Sequence, residues 1–124
     1  MSWTSEQLAH VDAARELDIA VRRVDGTLRP WTPIWVVRVG GDVYVRTWHR
    51  RDTGWFGLAV KTARARVRLP GIEADVLVQD IGVGPPGLRS DVDAAYRDKY
   101  GGGGSTENMV GDEAAATTLR LLSD

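Results

Sequence analysis

The sequence predicts a mainly β, α+β domain: a six-stranded barrel with a helix plugging it after the third strand, and short helices at the N-terminus and before the last strand. Three stretches carry that prediction. In residues 29–51, two arms rich in Val, Ile, Trp, Tyr and Thr flank Gly40-Gly41-Asp42, which can take the positive φ angles of a tight hairpin turn. Ile34 to Val37 of the first arm are apolar without alternation, so both faces of that arm are covered, as in a barrel strand rather than a half-solvated edge. Further on, Ala65, Val67 and Leu69 alternate with Arg64, Arg66 and Arg68, and after Pro70-Gly71 the residues Ile72, Ala74 and Val76 alternate with Glu73, Asp75 and Leu77. Counting outward from that turn sets Arg68 opposite Glu73 and Arg66 opposite Asp75. Such cross-strand pairs contribute roughly 0.2–1 kcal/mol each, a sufficient reason for both arginines, which are therefore not ligand candidates. Between the hairpins, residues 52–63 read as a loop feeding a helix, with Asp52 or Thr53 as cap and Trp55, Leu58, Ala59 and Thr62 on one face.

The remaining elements follow from caps and periods. Thr4 with Gln7 forms a capping box, with Trp3 and Leu8 as its hydrophobic staple, and Leu8, Val11 and Ala14 make the packed face of a short helix. His10 beside that face receives no role. Leu17, Ile19 and Val21 then alternate with Asp18, Ala20 and Arg22, a half-buried strand ended by Asp25-Gly26. The second strand spans 27–39, with Pro30 and Pro33 confining its start to an edge or opening, and the third spans 43–48. Residues 82–88, with Gly84-Pro85-Pro86-Gly87, form a surface connection, and Ser90 caps a helix over 91–100 closed by Gly101. The glycine run to Gly104 and Ser105 reads as a flexible loop and lacks the Lys and Ser or Thr of a phosphate loop. Met109-Val110 anchors its far end, Asp112 starts one Ala-rich helical turn, and residues 117–122 form the last strand, although Leu119, Leu121 and Leu122 would also suit a short helix.

At 124 residues the chain is one domain, residues 1–124, able to bury a core without staples. Sixteen Lys plus Arg against seventeen Asp plus Glu leave a formal charge of −1, which gives no support to a nucleic-acid partner. Cysteine is absent, which rules out disulfides, thiolate metal sites and a Cys nucleophile. Two widely separated His and no ligand cluster exclude a metal centre. With no leader-like N-terminus and no spanning apolar run, a soluble cytoplasmic protein without a membrane partner is expected.

The succession Asp25-Gly26-Thr27-Leu28-Arg29-Pro30-Trp31-Thr32-Pro33, Gly41-Asp42-Val43-Tyr44-Val45, Gly54-Trp55-Phe56 and Ala63-Arg64-Ala65-Arg66-Val67 resembles the FMN-binding split β-barrel superfamily, and within it the small deazaflavin-dependent nitroreductases and quinone reductases. With Asp93 to Tyr100 included, the pattern is most similar to a small bacterial family known as a domain of unknown function. The resemblance spans nearly the whole chain and implies a split β-barrel whose coenzyme phosphates meet basic and small polar residues on strands two and three and the loop after them. Carried over by position, it implies coenzyme contacts from Arg29, from Thr47, Trp48 and Arg50 at the end of strand three, from Trp55 at the start of the plug helix, and from Lys61, Thr62 and Arg64 at its far end. Thr62-Ala63-Arg64 stands where the relatives have Asn-Pro-Arg, the loop after strand three is short, and Trp48 replaces a small residue.

The coenzyme expected is FMN or a deazaflavin, which would carry the hydride chemistry itself. His49 and Tyr96 are the candidate catalytic groups; a cation beside His49 disfavours its protonated form, which suits a neutral donor or base. Arg46 and Arg51 join Arg29 and Arg50 as candidate phosphate contacts. Among the tryptophans, core packing accounts for Trp35, while Trp31 and Tyr100 are candidate substrate contacts. Two functions are open. One is a small oxidoreductase acting on a quinone-like or nitroaromatic molecule. The other, favoured by the departures at Trp48 and Thr62, is a cofactor-free barrel binding or rearranging an apolar small molecule in an aromatic pocket. A homodimer is expected by analogy with other split barrels.

Overall fold

The structure is a computed structural model, and it describes residues 3–47 and 54–124. Thr4 caps helix α1 (Ser5–Ala13) with the capping box that the sequence encodes: its hydroxyl accepts from the Gln7 N–H at 3.1 Å, and the Gln7 side chain accepts from the Thr4 N–H at 2.9 Å. Trp3 and Leu8 are both buried, and the Trp3 indole N–H donates to the Leu121 carbonyl at 2.8 Å. Seven strands follow: β1 (Leu17–Val21), β2 (Thr32–Ile34), β3 (Val37–Val39), β4 (Asp42–Val45), β5 (Arg64–Leu69), β6 (Ile72–Gly82) and β7 (Thr118–Ser123). They form one antiparallel sheet in the order β2-β1-β5-β6-β7-β4-β3.

That order has a geometric consequence. The edge strands β2 and β3 are consecutive in the chain, separated only by Trp35 and Val36. A three-residue step spans at most about 11 Å, so the sheet must curl until its two edges nearly meet. The result is a barrel that stays split between β2 and β3. The six strands expected become seven because the stretch over 27–39, read as one strand, is divided here. Thr32 to Ile34 pair with β1 and Val37 to Val39 pair with β4. One segment thus serves both margins of the sheet, and the twist between them interrupts the ladder at Trp35-Val36.

The interruption leaves Val36, fully buried, with a backbone that no strand pairs. Helix α3 (Pro86–Tyr100) supplies the partners from its last two residues. The Tyr100 hydroxyl accepts from the Val36 N–H at 3.0 Å and lies 2.8 Å from the Arg15 carbonyl and 3.1 Å from that of Val36. The Lys99 ammonium donates to the Val36 carbonyl at 2.7 Å and to the Val11 carbonyl at 2.8 Å. Burial pulls the Lys99 pKa down to about 8, with Asp12 acting against that shift and Arg15 adding to it. Trp35 lies flat on the Tyr100 ring, centroids 3.9 Å apart.

Two other departures from the sequence reading concern helices. Helix α3 begins at Pro86, capped by Pro85, and not at Asp91; a proline in the first turn has no N–H to lose and its φ is already helical. The glycine run is loop only as far as Gly103, and Gly104–Val110 is helix α4. Its buried Thr106, Met109 and Val110 share one face, and that packing outweighs the low propensity of its first residue. Gly101 does end α3, at φ +82 with its N–H on the Arg97 carbonyl. The short helix α5 (Asp112–Ala115) and strand β7 lie where the sequence places them.

Apolar side chains form two clusters. Inside the barrel, Ile19, Val21, Val43, Val45, Val67, Val76, Leu119 and Leu121 pack with α1 and with Phe56 and Ala59 of helix α2 (Gly54–Thr62). Outside it, Val37 and Tyr44 pack against Val92 and Tyr96 of α3 and Met109 and Val110 of α4. At the end away from α2, the His10 ring lies so close to Gly71 that a Cβ there would sit 2.6 Å from it, and Gly71 holds φ +91.

Tyr100→Phe keeps the stack on Trp35 but strands the buried Val36 N–H. The expected cost is about 1–3 kcal/mol in urea unfolding; a loss within error of zero would show that the hydroxyl does not hold the split.

Candidate functional site

The registers define one end of the barrel. Val21 pairs with Ala65, Ile19 with Thr32, Val45 with Leu119 and Gly82 with Thr118. Strands β1, β4 and β6 therefore run toward this end, and β2, β5 and β7 start from it. Helix α2 packs on β1 and β6 at this end. Of the residues expected to meet a ligand, Arg29, Thr47, Trp55, Lys61, Thr62 and Arg64 fall here, while Trp48, His49 and Arg50 lie outside the described residues, as do Arg51 and Asp52.

The cations sort by their partners. Arg22 and Arg66 share Asp75, Arg66 also binds Glu73, Arg38 binds Asp12, Arg46 binds Asp93, and Arg68 binds Asp18. Arg89 bridges Asp93 and Asp112, Arg97 meets Glu107 and Arg120 meets Asp42. The cross-strand register is the one expected, with Arg68 opposite Glu73 and Arg66 opposite Asp75. Arg68 nevertheless turns to Asp18, which faces it from β1 on its other side. Arg15 lies over the Tyr100 ring, Arg23 donates to the Thr27 hydroxyl and the Leu28 carbonyl, and Lys99 is held by two carbonyls. Among the described residues, the cations left without a side-chain partner are Arg29, Lys61 and Arg64.

Those three surround the α2 end. The Arg29 N–H donates to the Val21 carbonyl at 2.9 Å, and the bridge between Arg22 and Leu28 gives Arg29 the inward parity of Val21. Its Nη1 is buried with no hydrogen-bond partner among the described residues. Arg64 opens β5 with the outward parity of Arg66 and Arg68, and its carbonyl accepts from the Arg22 N–H at 3.0 Å. Lys61 is exposed in the last turn of α2. The rim thus carries free positive charge on both its inner and outer sides. Thr62 turns its hydroxyl back to the Leu58 carbonyl at 3.2 Å, and Ala63 after it holds φ +58. That left-handed conformation costs a residue with a Cβ roughly 1–2 kcal/mol. It is the turn from helix to strand that sets Arg64 beside Arg22. Trp55, half-buried, meets Phe56 edge-on at 5.8 Å and packs against the barrel core.

Other expected site residues are placed elsewhere. Tyr96 is fully buried between the barrel's outer face and α3, where burial pushes its pKa up against the opposing charge of Arg46. Its hydroxyl has no hydrogen-bond partner among the described residues. A group so enclosed is not at the rim. Tyr100 commits its hydroxyl to the split, and Trp31 lies beneath the Arg68 guanidinium, 4.3 Å from its ring centroid, on the barrel's outer face. Arg46, a candidate phosphate contact by sequence, points outward like Tyr44 and is 1% exposed. Its guanidinium donates to Asp93 at 2.6 Å, to the Met109 carbonyl at 3.0 Å and to the Thr118 hydroxyl at 2.9 Å. It fastens α3, α4 and β7 to β4. Strand alternation from Val43 and Val45 carried the signal that separates Arg46 from the barrel interior.

The match of one family's sequence pattern covers residues 7–121. The chain belongs to that family, DUF2255, uncharacterized proteins conserved in bacteria. No curated protein matches the chain. Solved structures do. A candidate 5-nitroimidazole antibiotic resistance protein from Bacteroides thetaiotaomicron is similar over 100% of this chain and 82% of its own, with a TM-score of 0.64 at 9% identity. A FAD-binding protein from Mesorhizobium loti is similar over 100% and 92%, with a TM-score of 0.57 at 13% identity. A protein named F420 reductase, after the deazaflavin coenzyme F420, is similar over 91% and 87%, with a TM-score of 0.50 at 14% identity. What this DUF2255 member shares with them is the fold, the split β-barrel.

The buried Arg46–Asp93 pair makes a direct prediction. Asp93→Ala leaves a desolvated guanidinium short of its anion and is expected to cost about 3 kcal/mol in denaturant unfolding, much of it regained when Arg46→Met is added. A single-variant loss near zero would show that Asp93 is dispensable to α3 packing.

Proposed function

We propose that this DUF2255 protein binds a flavin or deazaflavin coenzyme at the α2 end of the barrel and serves as a cytoplasmic oxidoreductase acting on a quinone-like or nitroaromatic small molecule. The observation that carries the reading is the leftover charge: Arg29, Lys61 and Arg64, without partners among the described residues, sit together at this end. The donor set suits a phosphate. Arg29 Nη1 is buried and lacks an acceptor among the described residues, and a buried donor in that state is completed by an anionic oxygen more strongly than by a neutral one. A FAD-binding protein and an F420 reductase on the same fold make the flavin class the first to test.

When bound, such a coenzyme supplies the electron transfer. The chain's share is binding and orientation. Arg29 would meet the phosphate from the inner side of the rim, Lys61 and Arg64 would neutralise it from the outer side, and Trp55 offers an aromatic wall at the start of α2. Thr62, hydrogen-bonded to its own helix, would act through the position it gives Lys61 and Arg64.

Titration with FMN and, separately, with F420, followed by intrinsic Trp fluorescence and melting temperature, tests the reading. Saturable quenching with a raised melting temperature is expected, because a ligand that binds only the folded state stabilises it. Arg29→Ala should weaken that binding by roughly ten- to a hundredfold, the value of a charge-assisted hydrogen bond, while Arg68→Ala on the outer face leaves it unchanged. No response to either coenzyme would overturn the reading in favour of the cofactor-free barrel with an apolar ligand.

The proposal includes a homodimer, by analogy with other split barrels; two-fold pairs are the commonest form among soluble oligomers. Sedimentation equilibrium should return twice the chain mass; the mass of a single chain would refute it.

A further inference from the structure

Arg29 sits in an irregular stretch of the β1–β2 hairpin. Beside the turn Arg22 bridges Leu28, and β2 resumes the pairing with Thr32 opposite Ile19, so Arg29, Pro30 and Trp31 face only Ala20 and Val21. Three residues against two make a β-bulge, and its middle residue, a proline, has no N–H for a ladder. On one side the bulge is held by the β2 pairs; on the other it depends on the turn, whose residues 23–27 are exposed, Val24 to 74%. No apolar packing anchors that turn. Arg23 and Asp25 close it on itself, through Thr27 and the Leu28 carbonyl, which fixes its shape and not its angle to the sheet. Arg22 makes the connection outward. Its guanidinium donates from Nη1 to the Gly26 carbonyl at 3.0 Å and from Nη2 to the Asp75 carboxylate on β6 at 3.3 Å, while its backbone N–H donates to the Arg64 carbonyl at 3.0 Å.

We infer that Arg22 is a positioning residue for Arg29: strung between the Gly26 carbonyl and Asp75, it sets the angle at which the turn meets the sheet, and through the bulge the place of the guanidinium that receives the coenzyme's phosphate. The inference rests on the coenzyme reading proposed above. Its physical basis is that a bulge re-aims a side chain, and the aim is only as firm as the chain on either side of it. Asp75 then acts against its own charge. It lies diagonal to Arg64 across the β5–β6 ladder, so as a carboxylate it repels a phosphate at the rim, and as the anchor of Arg22 it favours one.

The test uses the full chain with Asp75→Ala and Arg22→Ala, each also combined with Arg29→Ala. Two quantities are read well below all melting temperatures: dissociation constants for FMN and F420, and amide exchange at Arg29 and Val67. Asp75→Ala is expected to weaken whichever coenzyme the native chain binds by about threefold, the value of a partly exposed ion pair, although it removes a negative charge from beside the site. Arg22→Ala, which also loses the bond to Gly26, should weaken it by about tenfold. Both should speed exchange at Arg29 with Val67 unchanged. Added to Arg29→Ala, neither should weaken binding further, because Arg22 acts through Arg29. Native or tighter binding in Asp75→Ala, with Arg29→Ala still impaired, would overturn the positioning role and leave the coenzyme reading intact. A full further loss when Arg22→Ala is added to Arg29→Ala would overturn it as well, by showing that Arg22 meets the ligand itself. Unchanged exchange at Arg29 in both single variants would overturn it independently of any ligand. If the native chain binds neither coenzyme, the coenzyme reading fails and the role inferred for Arg22 fails with it.

Discussion

The fold depends on the two residues that carry the chain from one edge of the sheet to the other. Trp35 and Val36 join β2 to β3, so the curl of the whole sheet is enforced covalently and needs no ladder across the split. Interrupting a ladder in the buried interior exposes peptide groups to an apolar surrounding, which costs several kcal/mol unless they find partners. Lys99 and Tyr100 are those partners. They also bond the carbonyls of Val11 and Arg15 on either side of the end of α1. The C-terminus of α3 thus joins α1, β1 and the split at one place, and the outer layer of helices is required for the barrel to hold its shape.

The same layer explains why charge is left over at the rim. Strand alternation sends Arg66 and Arg68 outward to the carboxylates of neighbouring strands, and sends Arg46 outward beneath α3, where Asp93 meets it. Each pairing consumes a cation. Arg29 escapes because it follows the β1–β2 turn on the inward side, where the described residues of the barrel offer apolar side chains and no carboxylate. Arg64 has a cross-strand neighbour, Leu77, that cannot pair with it. Near neutrality of the whole chain is therefore compatible with a local surplus, and the surplus falls where strands end and backbone groups become available.

Much of the fold was legible in the sequence wherever a local rule and the tertiary structure agree. Thr4 with Gln7 gave the first helix, the alternation around Pro70-Gly71 gave the β5–β6 register to the residue, and Gly101 gave the end of α3. The division of the stretch over 27–39 was not legible, because its cause is which strands lie beside it and not its own composition. Helix α4 was hidden for a related reason: four glycines argue for loop, and only the burial of Met109 and Val110 against Tyr44 makes a helix worthwhile. At the site, the resemblance pointed to Arg29, Lys61, Thr62 and Arg64, which the structure does bring to one end. Helix spacing could not tell whether Tyr96 and Tyr100 close a site or pack on the barrel, because their burial and backbone bonds depend on α3 lying across the outer face.

The packing also decides where a ligand can sit. A barrel this small has its interior filled by side chains, and here α1 adds Trp3, Leu8 and Val11 from one end while α2 adds Phe56 and Ala59 from the other. The first end is further closed by the Arg38–Asp12 pair and by His10 against the Gly71 turn. A planar coenzyme has no room inside. The coenzyme proposed above would have to lie on the rim beside α2. The strand ends there are held by the left-handed turn at Ala63 after α2 and by the Arg22 N–H on the Arg64 carbonyl.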